Sequence, residues 1–131
     1  MATMEVHVTT PEREVWVGEA TMVVARAVDG DVGILPGHMP LLTALAIGVL
    51  KIEHQGNPTL AVVDGGFLHV TSAGGDTRVD VLAEHAELAD EVDVAAAERL
   101  REQAERRLAQ GDVAEARDDL AKAQARLRVR S

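Results

Sequence analysis

The chain has 131 residues, room for one modest domain and an appendage, and 47% hydrophobic with 27% charged residues is a globular rather than a disordered composition. It has no cysteine, which excludes a disulfide framework, a thiolate metal site and a cysteine nucleophile. The net charge of −9 is unevenly spread: residues 1–91 carry −10 and residues 92–131 carry +1, which argues against nucleic acid as a partner of the first part and for two segments with different jobs.

Met1-Ala-Thr-Met-Glu5 has neither a basic n-region nor an apolar h-region, so no signal peptide is expected. Trp16 and Phe67 are the only aromatics, so a core must be built from Val, Leu, Ile and Ala. Up to about His85 the pattern is strand-like. Residues 4–9 and 13–17 alternate apolar and polar side chains, and residues 22–28 are apolar and β-branched enough for a buried strand. Further strands are expected at 42–47, 49–53, 59–63, 67–71 and 78–83. Asp29-Gly30, Asp64-Gly65-Gly66 and Gly74-Gly75-Asp76 are expected as the turns between them, where positive φ costs little. The uncharged run 33–50 is long enough to suggest a membrane span, but Pro36, Gly37, His38, Pro40 and Gly48 break it, and a soluble chain is expected.

From Asp93 the period changes. Asp93 is a suitable N-cap for a helix running to Ala109, and Gln110-Gly111 is a stop signal with Gly111 in the left-handed region. Asp112 with Glu115 three residues later predicts a capping box for a second helix. Val113, Ala116, Leu120, Ala123 and Leu127 make one apolar seam on that helix, and Ala97, Leu100, Ala104 and Leu108 make a narrower stripe on the first. A short link between two such helices predicts an antiparallel hairpin, and its alanine-rich interface predicts weak docking. The fold expected is an all-β sandwich or barrel over residues 1–88, followed by an antiparallel α-helical hairpin over residues 89–131.

Gly30-Asp-Val-Gly-Ile-Leu-Pro-Gly-His-Met-Pro-Leu-Leu-Thr-Ala-Leu45, with Gly48-Val-Leu-Lys-Ile52 after it, resembles the signature of the epsilon subunits of bacterial F-type ATP synthases. Asp64-Gly-Gly-Phe-Leu-His-Val70, Val79-Asp-Val-Leu-Ala-Glu84 and Ala121-Lys-Ala-Gln-Ala-Arg-Leu-Arg-Val129 are similar to later parts of that family in the same order. The resemblance implies a non-catalytic rotor component that couples proton flow to ATP synthesis, peripheral on the cytoplasmic face of the plasma membrane. Its sandwich would bind the gamma subunit and the ring of c subunits, with Asp31, Leu35, Pro36, Gly37 and His38 in the partner-facing loop. Its hairpin would be a regulatory arm that straightens at Gly111, reaches the alpha and beta subunits of the catalytic head and inhibits hydrolysis. Two straightened helices of 16 residues span roughly 50 Å. Lys122, Arg126, Arg128 and Arg130 are expected to meet an acidic surface there.

Some members of the family bind ATP through a motif like Ile/Leu-Asp-x-x-Arg-Ala. Here Val92-Asp93-Val94-Ala95-Ala96-Ala97 keeps the aspartate but has Ala96 where the arginine belongs, and alanine offers no phosphate contact. Glu87, Asp93 and Arg126 are the residues left for such a site, Asp93 is better read as an N-cap, and no cofactor is expected. The five histidines show no metal-ligand spacing, and no metal is expected. Two competing readings are a small β-sandwich enzyme, for which no catalytic constellation can be assembled, and a stand-alone nucleotide sensor.

Overall fold

A computed structural model describes residues 2–130. Among them are eight strands: β1 (Met4–Thr9), β2 (Glu14–Ala20), β3 (Met22–Ala27), β4 (Gly30–Ile34), β5 (Leu41–His54), β6 (Asn57–Ala73), β7 (Asp76–Ala83) and β8 (Ala86–Leu88). A 3-10 turn, Ala89–Glu91, then leads to two helices, α1 (Val94–Ala109) and α2 (Ala114–Arg130). Strand neighbours run β2-β1-β7-β6-β5-β3-β4, and β8 lies along β6. The β1–β7 pair is parallel and the others are antiparallel.

One core fills the interior. Met4, Val6 and Val8 of β1, Val23 and Ala25 of β3, Leu68 and Val70 of β6, and Val79 and Val81 of β7 are all buried in it. The period-2 alternation of these residues is what puts them on one face of each strand. With almost no aromatics, the core is assembled from β-branched and aliphatic side chains of similar size, as the composition requires.

The β5–β6 hairpin organises the rest. The two strands pair along almost their whole length, from Leu41↔Val70 to His54↔Asn57. Midway, each changes which of its residues face inward. In β5, Leu45 points into the core, but so do Leu50 and Ile52, of opposite parity. In β6, Ala61 and Val63 point inward before the bend and Leu68 and Val70 after it. The pairing of β3 with β5 shifts register at the same place, between Val24↔Lys51 and Ala27↔Leu45. β6 pairs with β8 before the bend and with β7 after it, so one hairpin serves both halves of the sandwich.

Asp64-Gly65-Gly66 is therefore not a turn between two strands but the bend inside one of 17 residues, and residues 42–47 and 49–53 are likewise one strand of 14. Positive φ at Gly65 (87°) and Gly66 (127°) supplies the bend without ending the ladder. A Cβ at Gly66 would lie 2.1 Å from the Leu82 carbonyl oxygen, so this glycine also permits the close approach of β7. Gly74 and Gly75 do form the β6–β7 turn.

The helices form an antiparallel pair. Asp93 caps α1 by accepting from the Ala96 amide at 3.0 Å, and Gly111 takes φ 88° in the link that follows. The expected capping box at Asp112 is absent: α2 begins at Ala114, after Val113, whose carbonyl accepts from Arg117. The Asp112 carboxylate instead accepts two hydrogen bonds from the Arg107 guanidinium, at 2.9 and 3.1 Å, which also donates to Asp119 at 3.0 Å. Arg107 is a stronger donor than the backbone amides a cap would have met. Ala97 and Ala104 of α1 and Ala116 and Ala123 of α2 are buried along the predicted seam, but Val113 is 39% exposed. A second face of α2, Ala125 and Val129, packs with Val62 of β6 and with Val92, which follows the 3-10 turn. Thus α2 lies between the sheet and α1, and α1 rests on α2.

Candidate functional site

Three features stand out from a purely structural scaffold: the loop after β4, an exposed apolar strip beside it, and the contact that holds the helical pair to the sheet.

The loop expected to meet partners is tightly braced. The Gly37 amide donates to Thr77 Oγ1 at 2.8 Å, the His38 amide to the Leu35 carbonyl at 3.0 Å, and Ser72 Oγ to the His38 carbonyl at 3.2 Å. The His38 ring hydrogen-bonds through Nδ1 to the Met39 carbonyl at 2.6 Å. Leu35, Pro36, Gly37 and His38 therefore form a preformed projection over the β6–β7 turn. Asp31 is not in the loop. It lies in β4, paired with Arg26 at 3.2 Å on the solvent side.

Next to this loop the sheet presents apolar residues to water. Leu42 (67% exposed) and Phe67 (52%) face outward on β5 and β6, and Leu82 (51%) is directly opposite Phe67 on β7. Ala44 opposite Phe67 completes the strip, and Leu35 and Met39 in the loop are also exposed. A contiguous exposed apolar surface at rigid strand positions is the mark of an interaction face. The residues that carry it, Leu42, Phe67 and Leu82, were not singled out from the sequence. The available signal was parity: Phe67 alternates against the inward Leu68 and Val70.

On the outward side of the other half of β6, Arg126 of α2 sits only 11% exposed between two carboxylates. Its Nη1 and Nη2 donate to the two oxygens of Asp64 at 2.9 and 2.7 Å, and its Nε donates to Glu87 at 2.7 Å. A fourth bond runs from Nη1 to the Lys122 carbonyl at 3.0 Å. Asp64, at 7% exposure, stands at the β6 bend, and its amide donates to the His85 carbonyl. Burial pushes the guanidinium pKa down, but the hydrogen bonds and charges of Asp64 and Glu87 outweigh it, and the net shift is upward.

The residues left for a nucleotide site, Glu87, Asp93 and Arg126, do line one depression with Ala96, Ala97 and Leu100. Its volume is about 140 Å³, against roughly 300 Å³ or more for ordinary ligand pockets. Arg126 is fully engaged by carboxylates there, and Asp93 is occupied as the N-cap. Arg130 donates to the Ala89 carbonyl at 3.1 Å, and Arg128 lies at a separate depression with Arg26 and Asp31. Arg126, Arg128 and Arg130 of α2 are thus not displayed as one patch while the hairpin is docked. Among the described residues no group of three His, Asp or Glu side chains is placed to hold a metal ion, and no helix is long and apolar enough to cross a membrane.

Residues 3–89 match the family described as ATP synthase, Delta/Epsilon chain, beta-sandwich domain. The chain belongs to this family. Among bacterial ATP synthase epsilon chains, that of Thermobifida fusca is 47% identical over 127 residues, covering 95% of this chain and 89% of the other. That of Desulforudis audaxviator is 47% identical over 111 residues, covering 85% and 78%. The fold is also that of a chain in the Euglena gracilis mitochondrial ATP synthase, seen in a cryo-EM structure of OSCP, F1 and the c-ring. That likeness has a TM-score of 0.82 at 23% identity, covering 95% of this chain and 79% of the other. As an ATP synthase delta/epsilon chain, the molecule carries the expected sandwich and, beyond the matched residues, the two helices.

Proposed function

We propose that this chain is the non-catalytic epsilon subunit of a bacterial F-type ATP synthase, a component of the central stalk that turns with the rotor. The near full-length relationship to bacterial epsilon chains carries this reading, since it spans the sandwich and the helices together. The sandwich is the anchor. Its braced 35–38 loop faces the c-ring, and the Leu42–Phe67–Leu82 strip beside it packs on the gamma subunit. The chain is peripheral on the cytoplasmic face of the membrane that holds the ring. The helical pair is the arm, which restrains hydrolysis when it leaves the sheet and reaches the alpha and beta subunits, where Lys122, Arg126, Arg128 and Arg130 become available. The Glu87–Asp93–Arg126 depression takes no nucleotide, because two carboxylates already saturate its one arginine.

The test adds the full chain, or a version ending at Glu91, to a gamma-containing ATPase head stripped of this subunit. The core of the sandwich contains no helical residue, so the shortened version retains its packing. Both versions are expected to bind, and only the full chain to slow ATP hydrolysis. Failure of both to bind overturns the subunit assignment, and binding without inhibition by either overturns the arm's role.

A further inference from the structure

We propose that Arg126 is the latch of the helical pair: release of the pair from the sheet is governed by the Arg126–Asp64–Glu87 cluster rather than by apolar packing. The apolar contact is small. Beneath α2 it consists of Ala125 and Val129 against Val62 of the sheet and Val92 of the linker, with Ile47, Val49 and Leu60 at its margin. A few valines and an alanine bury little area compared with the sandwich core. The arginine contact is different in kind. Its fork meets Asp64 with both terminal nitrogens, and its third nitrogen reaches Glu87 on another strand, so one side chain ties α2 to β6 and β8 at once. Loss of one partner from such a buried cluster leaves an uncompensated charge under the helix.

The arrangement also fixes what moves. Arg126 and Ala125 lie on the face of α2 that meets the sheet, whereas Ala116 and Ala123 lie in the seam, and α1 rests on α2. Breaking the latch therefore frees both helices as a unit and leaves the Arg107–Asp112–Asp119 clasp closed. Once free, Arg126 is a cation available to another surface, so the residue that holds the docked state is also one the extended state can use. This last consequence rests on the reading of the helices as an arm; the latch itself does not.

The full chain has no cysteine, so a single thiol can be placed as a reporter. Ala125→Cys lies under α2 against the sheet, and Ala104→Cys lies in the seam between the helices; both positions are buried. The labelling rate of each measures how often its interface opens. Arg126→Gln is expected to speed labelling at Ala125→Cys by about a hundredfold, the scale of losing one partner of a buried pair, and to leave Ala104→Cys within about threefold. Arg126→Lys, which keeps the charge but not the fork, is expected to resemble Arg126→Gln. If Arg126→Gln is insoluble, Asp64→Asn is decisive on the same two reporters, with an expected acceleration of about tenfold. An unchanged rate at Ala125→Cys overturns the latch, as does equal acceleration at both reporters, which means that Arg126 merely supports helix structure. Asp64→Asn, which opens the latch and leaves Arg126 in place, separates the two ideas when added to the gamma-containing head. Faster opening with unaltered inhibition leaves the latch standing and overturns the arm reading.

Discussion

At the scale of the residue, two side-chain environments lead to sharp expectations. Gly66 combines φ 127° with a neighbouring carbonyl that a Cβ would meet at 2.1 Å, so no relaxation of a flexible side chain relieves the clash. Gly66→Ala is expected to destabilise the sandwich by about 3 kcal/mol or more, measured by urea unfolding. Gly74→Ala, where the space is open and only φ 60° is strained, should cost about 1 kcal/mol. Glu91 is held down to a pKa of about 2, first by its hydrogen bonds from Arg13, then by the Leu88 amide, against the contrary effect of burial. Because the folded value lies below the ordinary one near 4.5, the pair's contribution is fully present above that pH and is lost as pH falls toward 2. NMR titration of the Glu91 carboxyl should show this depressed midpoint, and Arg13→Gln should move it upward. A midpoint that Arg13→Gln leaves in place would mean that the Leu88 amide alone sets it.

At the scale of the element, most of the fold was legible because burial has a period. β1, β3 and α1 follow directly from alternation or from Asp93 and the helix formers after it. What escaped had a common physical cause, namely a residue whose local preference was overruled by a distant partner. Asp64-Gly65-Gly66 has turn chemistry, yet β5 runs opposite it for its full length and keeps it in the ladder. Asp112 has the right spacing for a cap, yet the Arg107 guanidinium takes its carboxylate. Arg126 could be picked out as a basic residue near the C-terminus, but its partners are 62 and 39 positions away and no local pattern announces them. The Arg107 clasp gives the element-level expectation. Arg107→Ala should speed amide exchange over residues 114–119 in the first turns of α2, while the amides of β6 and β7 remain protected. Acceleration extending to the sheet would show that the hairpin and sandwich open together.

At the scale of the whole molecule, the bent β5–β6 hairpin gives the chain two outward faces with different chemistry. One half carries α2 over Val62 and Asp64, and the other carries Phe67 in the open apolar strip. Because side-chain parity changes at the bend, the strip and the arm contact share strands but not surface. A substitution on one is therefore not expected to disturb the other. Phe67→Ser removes an exposed ring and leaves the inward Leu68 and Val70 in place, so folding stability should change by no more than about 0.5 kcal/mol. An aromatic anchor at the centre of an interface is commonly worth about 2 kcal/mol or more, so binding to a gamma-containing head should weaken roughly thirtyfold. The labelling rate at Ala125→Cys should not change. Such a result would place partner binding and arm release on separate faces, so that the subunit stays anchored to the rotor while its arm docks and undocks. Weakened binding accompanied by faster opening would instead mean that the bend transmits strain from one face to the other, making anchoring and release a single event.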